Sequence, residues 1–316
     1  MEKATQILKT DGYLSEYLLF YIEEEMKMKL EEIVIRDPYI LLHKNKYYMY
    51  GTRSHLCWKK PENIDSQGFD VYISEDLEEW SDPVEVFKRP KYFWADRNFW
   101  APEVHEYKGE FYLFATFIGE NRRRGTQILK SDHPTGPFFV HSPEPITPPE
   151  WECLDGTLYV DKKGIPYMIF CHEWVQIKDG AICAVELSVD LTHPVGNPKI
   201  LFKASTPSWS DTNAERYVTD GPCLYRTESD ELLMFWSSMK DGKYVEAIAK
   251  SSNGEIDGEW KNQDELLYSA DGGHGMAFKT KEGALYFALH SPNISYEEHP
   301  CFLKIKDIGD SVIRVD

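Results

Sequence analysis

The sequence is short of positive charge: 35 lysines and arginines stand against 53 aspartates and glutamates, a net charge of −18 over 316 residues. Binding to a phosphate backbone depends on Lys and Arg, so this balance excludes nucleic acid as a partner. The one basic run, Arg122-Arg123-Arg124, is too short to reverse that and reads as a solvated hairpin tip. CxxC spacing is missing as well. The six cysteines (Cys57, Cys153, Cys171, Cys183, Cys223 and Cys301) lie mostly in apolar runs such as MIFCHEW and GAICAVEL. Free buried thiols acting as small hydrophobes fit that setting better than disulfides or a zinc site. No apolar run approaches the length of a membrane span. The opening MEKATQILKTDGYL lacks the basic-then-apolar order of a signal peptide. The chain as written is expected to be cytoplasmic, or secreted if a leader has been removed, with no membrane partner.

What is present is aromatic and repetitive. Hydrophobic residues make up 42% of the chain, enough for the core of one large or two ordinary domains. The stretch RDPYILLHKNKYYMYGT has four relatives: APEVHEYKGEFYLFATF, DGTLYVDKKGIPYMIFCHEW, DGPCLYRTESDELLMFWSS and GHGMAFKTKEGALYFALHS. Each runs from a Pro or Gly through a short strand and a polar tip into a strand rich in Tyr, Phe, Met and Leu, which is hairpin grammar. Anchored on Pro38, Pro102, Gly156, Pro222 and Gly275, the repeats are 53 to 66 residues apart. Further strand candidates ending in Ser-Asp or Ser-Asn turns lie between the hairpins, giving about four strands per repeat, one propeller blade. The expected fold is all-β, a five-bladed β-propeller over 33–316, in preference to a β-sandwich with coincidental strand similarity. Residues 1–32, dense in Leu, Glu, Lys and Met, are expected to form a helical extension. That helix would dock on the propeller or make a homo-oligomer with a second protomer.

In a propeller the residues that precede the inner strands converge at one end of the channel. Here those positions carry Asp37, Trp100 with Glu103, Asp155, Asp220 and His274. Asp37, ahead of Pro38, is held toward an extended loop conformation where chain enters sheet. Alone it would read as a solvated loop Asp. Like charges across a funnel cost stability and raise some of their pKa values, which sites tolerate when the shift is useful. Two carboxyl groups across a sugar-sized gap are what glycoside hydrolysis needs. Arg36 would keep Asp37 ionised. Trp94, Phe99, Trp100, Trp174 and Trp209 are candidates to stack on sugar faces, Trp100 foremost.

The motifs RDPYIL, FWAPEVHEYKGEFYLFATF, LDGTLYVDKKGIPYMIF, TDGPCLYR and GGHGMAF, spread over about residues 33 to 310, resemble glycoside hydrolase family 43. The resemblance implies an inverting propeller enzyme of arabinofuranosidase or xylosidase type with three acids. Asp37 matches the general base and Asp155 the Asp that modulates pKa. The third acid departs from the pattern: Asp220-Gly221-Pro222 stands where the family usually has Glu-Gly-Pro. Asp falls roughly 1.5 Å short of Glu. Glu173, in apolar company, and Asp220 are equal candidates for the acid, with Glu215 behind them. His274 matches a histidine near the channel axis that in the family helps hold a hydrated calcium or other ion. That would be a structural ion held through water, with no cofactor required for the chemistry. The expected function is exo-hydrolysis of a terminal α-L-arabinofuranose, β-xylose or galactose from an oligosaccharide or polysaccharide. The alternatives are a propeller that binds glycans without cleaving them, and a related fructan hydrolase or glycoside phosphorylase.

Overall fold

The computed structural model describes residues 27–54, 67–210 and 215–315. Its strands form five antiparallel sheets in sequence order. The inner strands are Arg36–His43, Arg97–Tyr107, Cys153–Val160, Asp220–Arg226 and Gly273–Lys279, and each pairs with the strand that follows it. Four sheets have four strands, as the repeats predict. The first has six, because Met28–Lys29 and Glu79–Trp80 add a small ladder at its edge. The helical extension expected over 1–32 is described only for its last residues, and these are not α-helical: a two-residue strand is followed by a single 3₁₀ turn, Leu30–Glu32. The rest of that expectation lies outside the described residues.

The second strands of the repeats look unbroken in sequence because both of their faces are buried. In Leu232–Lys240, Leu232, Met234 and Trp236 pack toward the third sheet, while Leu233 and Phe235 pack toward the fifth. Alternate side chains of a strand point to opposite faces, so a strand between two neighbouring blades is apolar on both. Five buried clusters result, one for each junction between blades. Cys153 and Cys183 fill one of them and Cys171 another. The described cysteines are free thiols; Cys57 lies outside the described residues.

Among the described residues the first and fifth sheets exchange no strand, and side chains join them. Ile33, Ile40 and Met49 pack with Met276, Phe278 and Ala288. Arg36 pairs with Glu298 at 2.8 Å, and Lys281 donates its backbone N–H to the Tyr47 hydroxyl at 2.9 Å.

Candidate active site

Besides an extra shift in Arg97–Tyr107, where Asn98 is left-handed, each inner strand carries a register shift near its start, and one residue there has a left-handed backbone. These residues are Asp37, Ala101, Asp155, Gly221 and His274, with φ between 45° and 56°. Such a conformation costs a non-glycine residue roughly 1–3 kcal/mol and persists where surrounding bonds hold it. At four junctions the left-handed N–H donates to a side chain on the second strand of the preceding blade. Ala101 donates to Thr52 Oγ1 at 2.7 Å, Asp155 to Thr116 Oγ1 at 2.8 Å and His274 to Ser237 Oγ at 2.6 Å. Asp37 donates to His290 Nδ1 at 3.2 Å, which joins blade 1 to blade 5. At the remaining junction the matching position is Cys171, paired with Leu154 as Thr52 is with Arg36. A thiol is a weak acceptor, and Gly221 donates instead to Asp155 Oδ2 at 3.0 Å. Gly221 also needs its missing side chain, since a Cβ would stand 2.8 Å from the His274 ring.

The bulges aim side chains into one cavity of about 270 Å³, lined by Arg36, Asp37, Asp155, Asp220 and His274 together with Thr52, Trp100, Arg124, Glu173, Trp174 and Tyr244. Asp37 is buried, and burial pushes its carboxyl up. The charges of His274, 3.3 Å away, and Arg36, 3.9 Å away, outweigh that burial and hold it below the usual carboxylate range. Thr52 adds a donated hydrogen bond to Asp37 Oδ2 at 2.7 Å. His290 is pushed down to about 3, first by burial and then by Arg36, so it stays neutral and accepts the Asp37 N–H.

The other carboxyl groups move the opposite way. Burial first, then Asp220 and Asp37 acting against His274, pushes Asp155 up to about 7. Glu173 is pushed up to about 8 by burial and by the charges of Asp220 and Asp155, against the opposing pull of Arg124. Burial also raises Asp220, whose Oδ2 accepts the Tyr244 hydroxyl at 3.0 Å. Glu173 directly follows the strand Pro166–His172 and caps the one-turn helix Trp174–Ile177 with its backbone, which leaves its side chain to the cavity.

Three sequence expectations need correction here, and a further candidate falls away. Asp37 is not extended ahead of Pro38: its backbone is left-handed, φ 56°, held at the bulge by its bond to His290. Glu103 does not line the cavity; it lies beyond the bulge and pairs with His105 at 3.1 Å. Arg124 is not at a solvated tip, since it reaches inward to Glu173 at 3.0 Å. Glu215 is exposed and outside the lining. Of the aromatic candidates, Trp100 and Trp174 line the cavity, Phe99 is core, Trp94 packs against the same core cluster and Trp209 packs between blades 3 and 4. Thr52, Arg124, Tyr244 and His290 were missed. They lie on second and third strands, away from the inner-strand entries where the repeats direct attention.

His274 was expected to hold an ion through water. Its carboxylate neighbours Asp37, Asp155 and Asp220 outweigh the effect of burial and push it up to about 9, so at neutral pH the ring is an imidazolium that offers donors, not a lone pair. Among the described residues no group of three or more His, Cys, Asp or Glu side chains is arranged to hold a metal. The residues do not fit a directly ligated ion, and the imidazolium itself supplies positive charge between Asp37 and Asp155.

The family model described as Glycosyl hydrolases family 43 matches residues 32–305. A solved structure of endo-arabinase from Bacteroides thetaiotaomicron VPI-5482 superposes with a TM-score of 0.81 at 40% identity, covering 90% of this chain and 98% of that one. The extracellular exo-α-(1→5)-L-arabinofuranosidase ArbA of Cellvibrio japonicus is 23% identical over 180 residues, 52% of this chain and 46% of that protein. The extracellular endo-α-(1→5)-L-arabinanase 1 of Bacillus subtilis is 22% identical over 158 residues, 46% of this chain and 45% of that protein. The match thus spans about half the length of these curated relatives. Both carry an extracellular description, which overturns the cytoplasmic location expected from the sequence.

Proposed function

The chain belongs to glycosyl hydrolase family 43, and from that premise we propose that it hydrolyses glycosidic bonds in arabinose- or xylose-containing polymers, foremost α-L-arabinofuranosyl bonds, with inversion. One observation carries the reading: Asp37 and Glu173 line the same cavity in opposite electrostatic settings. Asp37 stands beside two cations whose charge outweighs its burial, whereas at Glu173 burial and two other carboxyl groups outweigh the one paired cation, Arg124 at 3.0 Å. Two titratable groups pushed apart in this way divide into a base and an acid.

In the proposed reaction a water placed by Asp37 attacks the anomeric carbon and gives its proton to that carboxylate. The anomeric C–O bond breaks as Glu173 passes its proton to the departing oxygen. Base and acid then return to their starting protonation through solvent. Asp155 and Asp220 keep the proton on Glu173, while His274 and Arg36 keep Asp37 ionised. The single water between the two groups makes the product anomer opposite to that of the substrate.

The small cavity, at the low end of ligand pockets, favours release of one terminal sugar at a time. A second reading, cleavage within the chain, is favoured by the 40% identical structure described as an endo-arabinase. Linear arabinan and xylan should be digested and the products followed by chromatography and proton NMR. Monosaccharide alone from the first minutes, born as the inverted anomer, supports exo-action. Early oligosaccharides support the endo reading. No product from either polymer or from nitrophenyl pentosides, with binding retained, would leave a glycan-binding propeller.

A further inference from the structure

The run Arg122-Arg123-Arg124 opens the third strand of blade 2, and its three guanidinium groups part company there. Arg122 pairs with Glu144 and Arg123 with Glu152 at the surface. Arg124 turns inward, with its side chain 15% exposed, and donates from Nη1 to Glu173 Oε2 at 3.0 Å. Its guanidinium also lies over the Trp100 ring, 4.9 Å from the centroid. A planar, delocalised guanidinium suits that position, because it stacks and donates in one fixed geometry. One face of Trp100 is therefore covered by Arg124, and on that face the indole is a shelf for the arginine, not a platform for sugar.

We propose that Arg124, seated on Trp100, is a positioning residue for the acid Glu173, an inference that rests on the reading of Glu173 as proton donor. Arg124 donates to Oε2, so a protonated Glu173 carries its hydrogen on Oε1. The terminal torsion of a glutamate is broad and roughly two-fold. The Arg124 bond selects one orientation and presents the Oε1 proton to the cavity.

The same cation sets how readily the proton leaves. Facing Glu173 are Asp220 from blade 4, Asp155 from its own blade and the thiols of Cys153 and Cys171. Arg124 is the cation that acts against them. Without it Glu173 holds its proton more tightly and becomes a weaker donor.

The test compares Arg124→Met, Arg124→Lys and Glu173→Gln with the parent protein, on a nitrophenyl pentoside and on the matching oligosaccharide. Arg124→Met is expected to lower kcat on the oligosaccharide by about 10²-fold, the cost of a misplaced group, and to spare the nitrophenyl substrate. The basic limb of its pH profile moves to higher pH, and Arg124→Lys recovers part of the loss. Equal loss on both substrates with an unmoved limb, or a change in KM alone, would overturn the proposal and make Arg124 a scaffold or sugar contact. Arg124→Lys keeps the charge and serves as the folding-safe variant if Arg124→Met does not fold: an unchanged leaving-group dependence there also overturns the proposal. Glu173→Gln separates the two layers. If it depresses both substrates alike, the donor reading falls and the proposal with it. If it is selective and Arg124→Met is not, only the positioning role falls.

Discussion

Asp155 Oδ2 accepts the backbone N–H of Gly221 at 3.0 Å, filling a place that a hydroxyl or an imidazole fills at each of the other four blade junctions. The second-strand position that would otherwise serve is Cys171, whose thiol accepts poorly. One carboxyl group therefore joins blade 3 to blade 4 and also contributes charge to the cavity. Scaffold and chemistry can be separated at this residue by the choice of substitution.

Asp155→Asn keeps an oxygen for Gly221, whereas Asp155→Ala leaves a buried N–H without an acceptor, costing roughly 1–3 kcal/mol. The alanine variant is expected to melt below the asparagine variant, and both to lose activity. The pH dependence has a definite sign. Burial and neighbouring carboxylates push Asp155 up to about 7, so the folded state binds this proton more tightly than the unfolded chain, where Asp titrates near ~3.9. Stability from this group falls as pH rises between those values. Asp155→Asn should melt above the parent protein at pH 8 and lose that advantage at pH 4. Equal melting of the two variants by calorimetry would remove the structural role of the Gly221 bond.

For Asp37, the expectation is that Asp37→Asn lowers kcat by ~10²–10⁴-fold, the usual cost of removing a general base. The fold should survive, because the Asp37 backbone N–H still donates to His290 and Asn still accepts from Thr52. Sugar binding, measured by calorimetry, should persist. Added azide should give no glycosyl azide of retained configuration. A kcat near that of the parent would reject Asp37 as the base.

The repeats made the propeller legible, because five similar hairpins in order fix both blade number and the location of the inner strands. Asp37, Asp155 and His274 were legible for a local reason. Each stands directly before the Pro or Gly at the bulge, so its side chain is thrown toward the channel mouth. Glu103 misled because it shares that motif but lies two residues past the left-handed Ala101, on the far side of the bulge. A register shift redirects side chains without leaving a mark in composition. Arg124 was hidden by its neighbours: a triple-arginine run looks solvated, and alternation puts Arg122 and Arg124 on one face, so that only the position further from the hairpin tip brings Arg124 to Glu173. Thr52, Tyr244 and His290 sit in strands whose apolar pattern is set by packing between blades, and their cavity roles arise only from tertiary convergence.

Thiol accessibility gives a check independent of catalysis. Cys153, Cys171 and Cys183 are buried in the clusters between blades, and burial pushes all three up, Cys183 to about 12. In the folded protein they should resist alkylation, since the thiolate is the reactive form. Under denaturing, non-reducing conditions all six cysteines, Cys57 included, should be modified by mass. Fewer than six alkylated thiols would show a disulfide and contradict the packing role.

The last prediction separates Glu173 from Asp220 as the acid. Both line the cavity and both are pushed up, so location alone does not choose. If Glu173 donates the proton, Glu173→Gln should cripple natural substrates and spare activated aryl glycosides, whose phenolate leaves with little protonation. Asp220→Asn should act differently, because Asp220 is the largest neighbouring charge that raises Glu173. Removing that charge lets Glu173 lose its proton more easily. Activity requires the protonated form, so the basic limb of kcat/KM should move below the pH of about 8 at which Glu173 titrates in the parent. The acidic limb, set by Asp37, should remain below the ordinary carboxylate range. If Asp220 is the donor instead, Asp220→Asn shows the leaving-group selectivity and Glu173→Gln does not. Both variants should therefore be measured on both substrate classes across pH. Uniform loss for both, with no movement of either limb, would mean that the proton comes from neither residue.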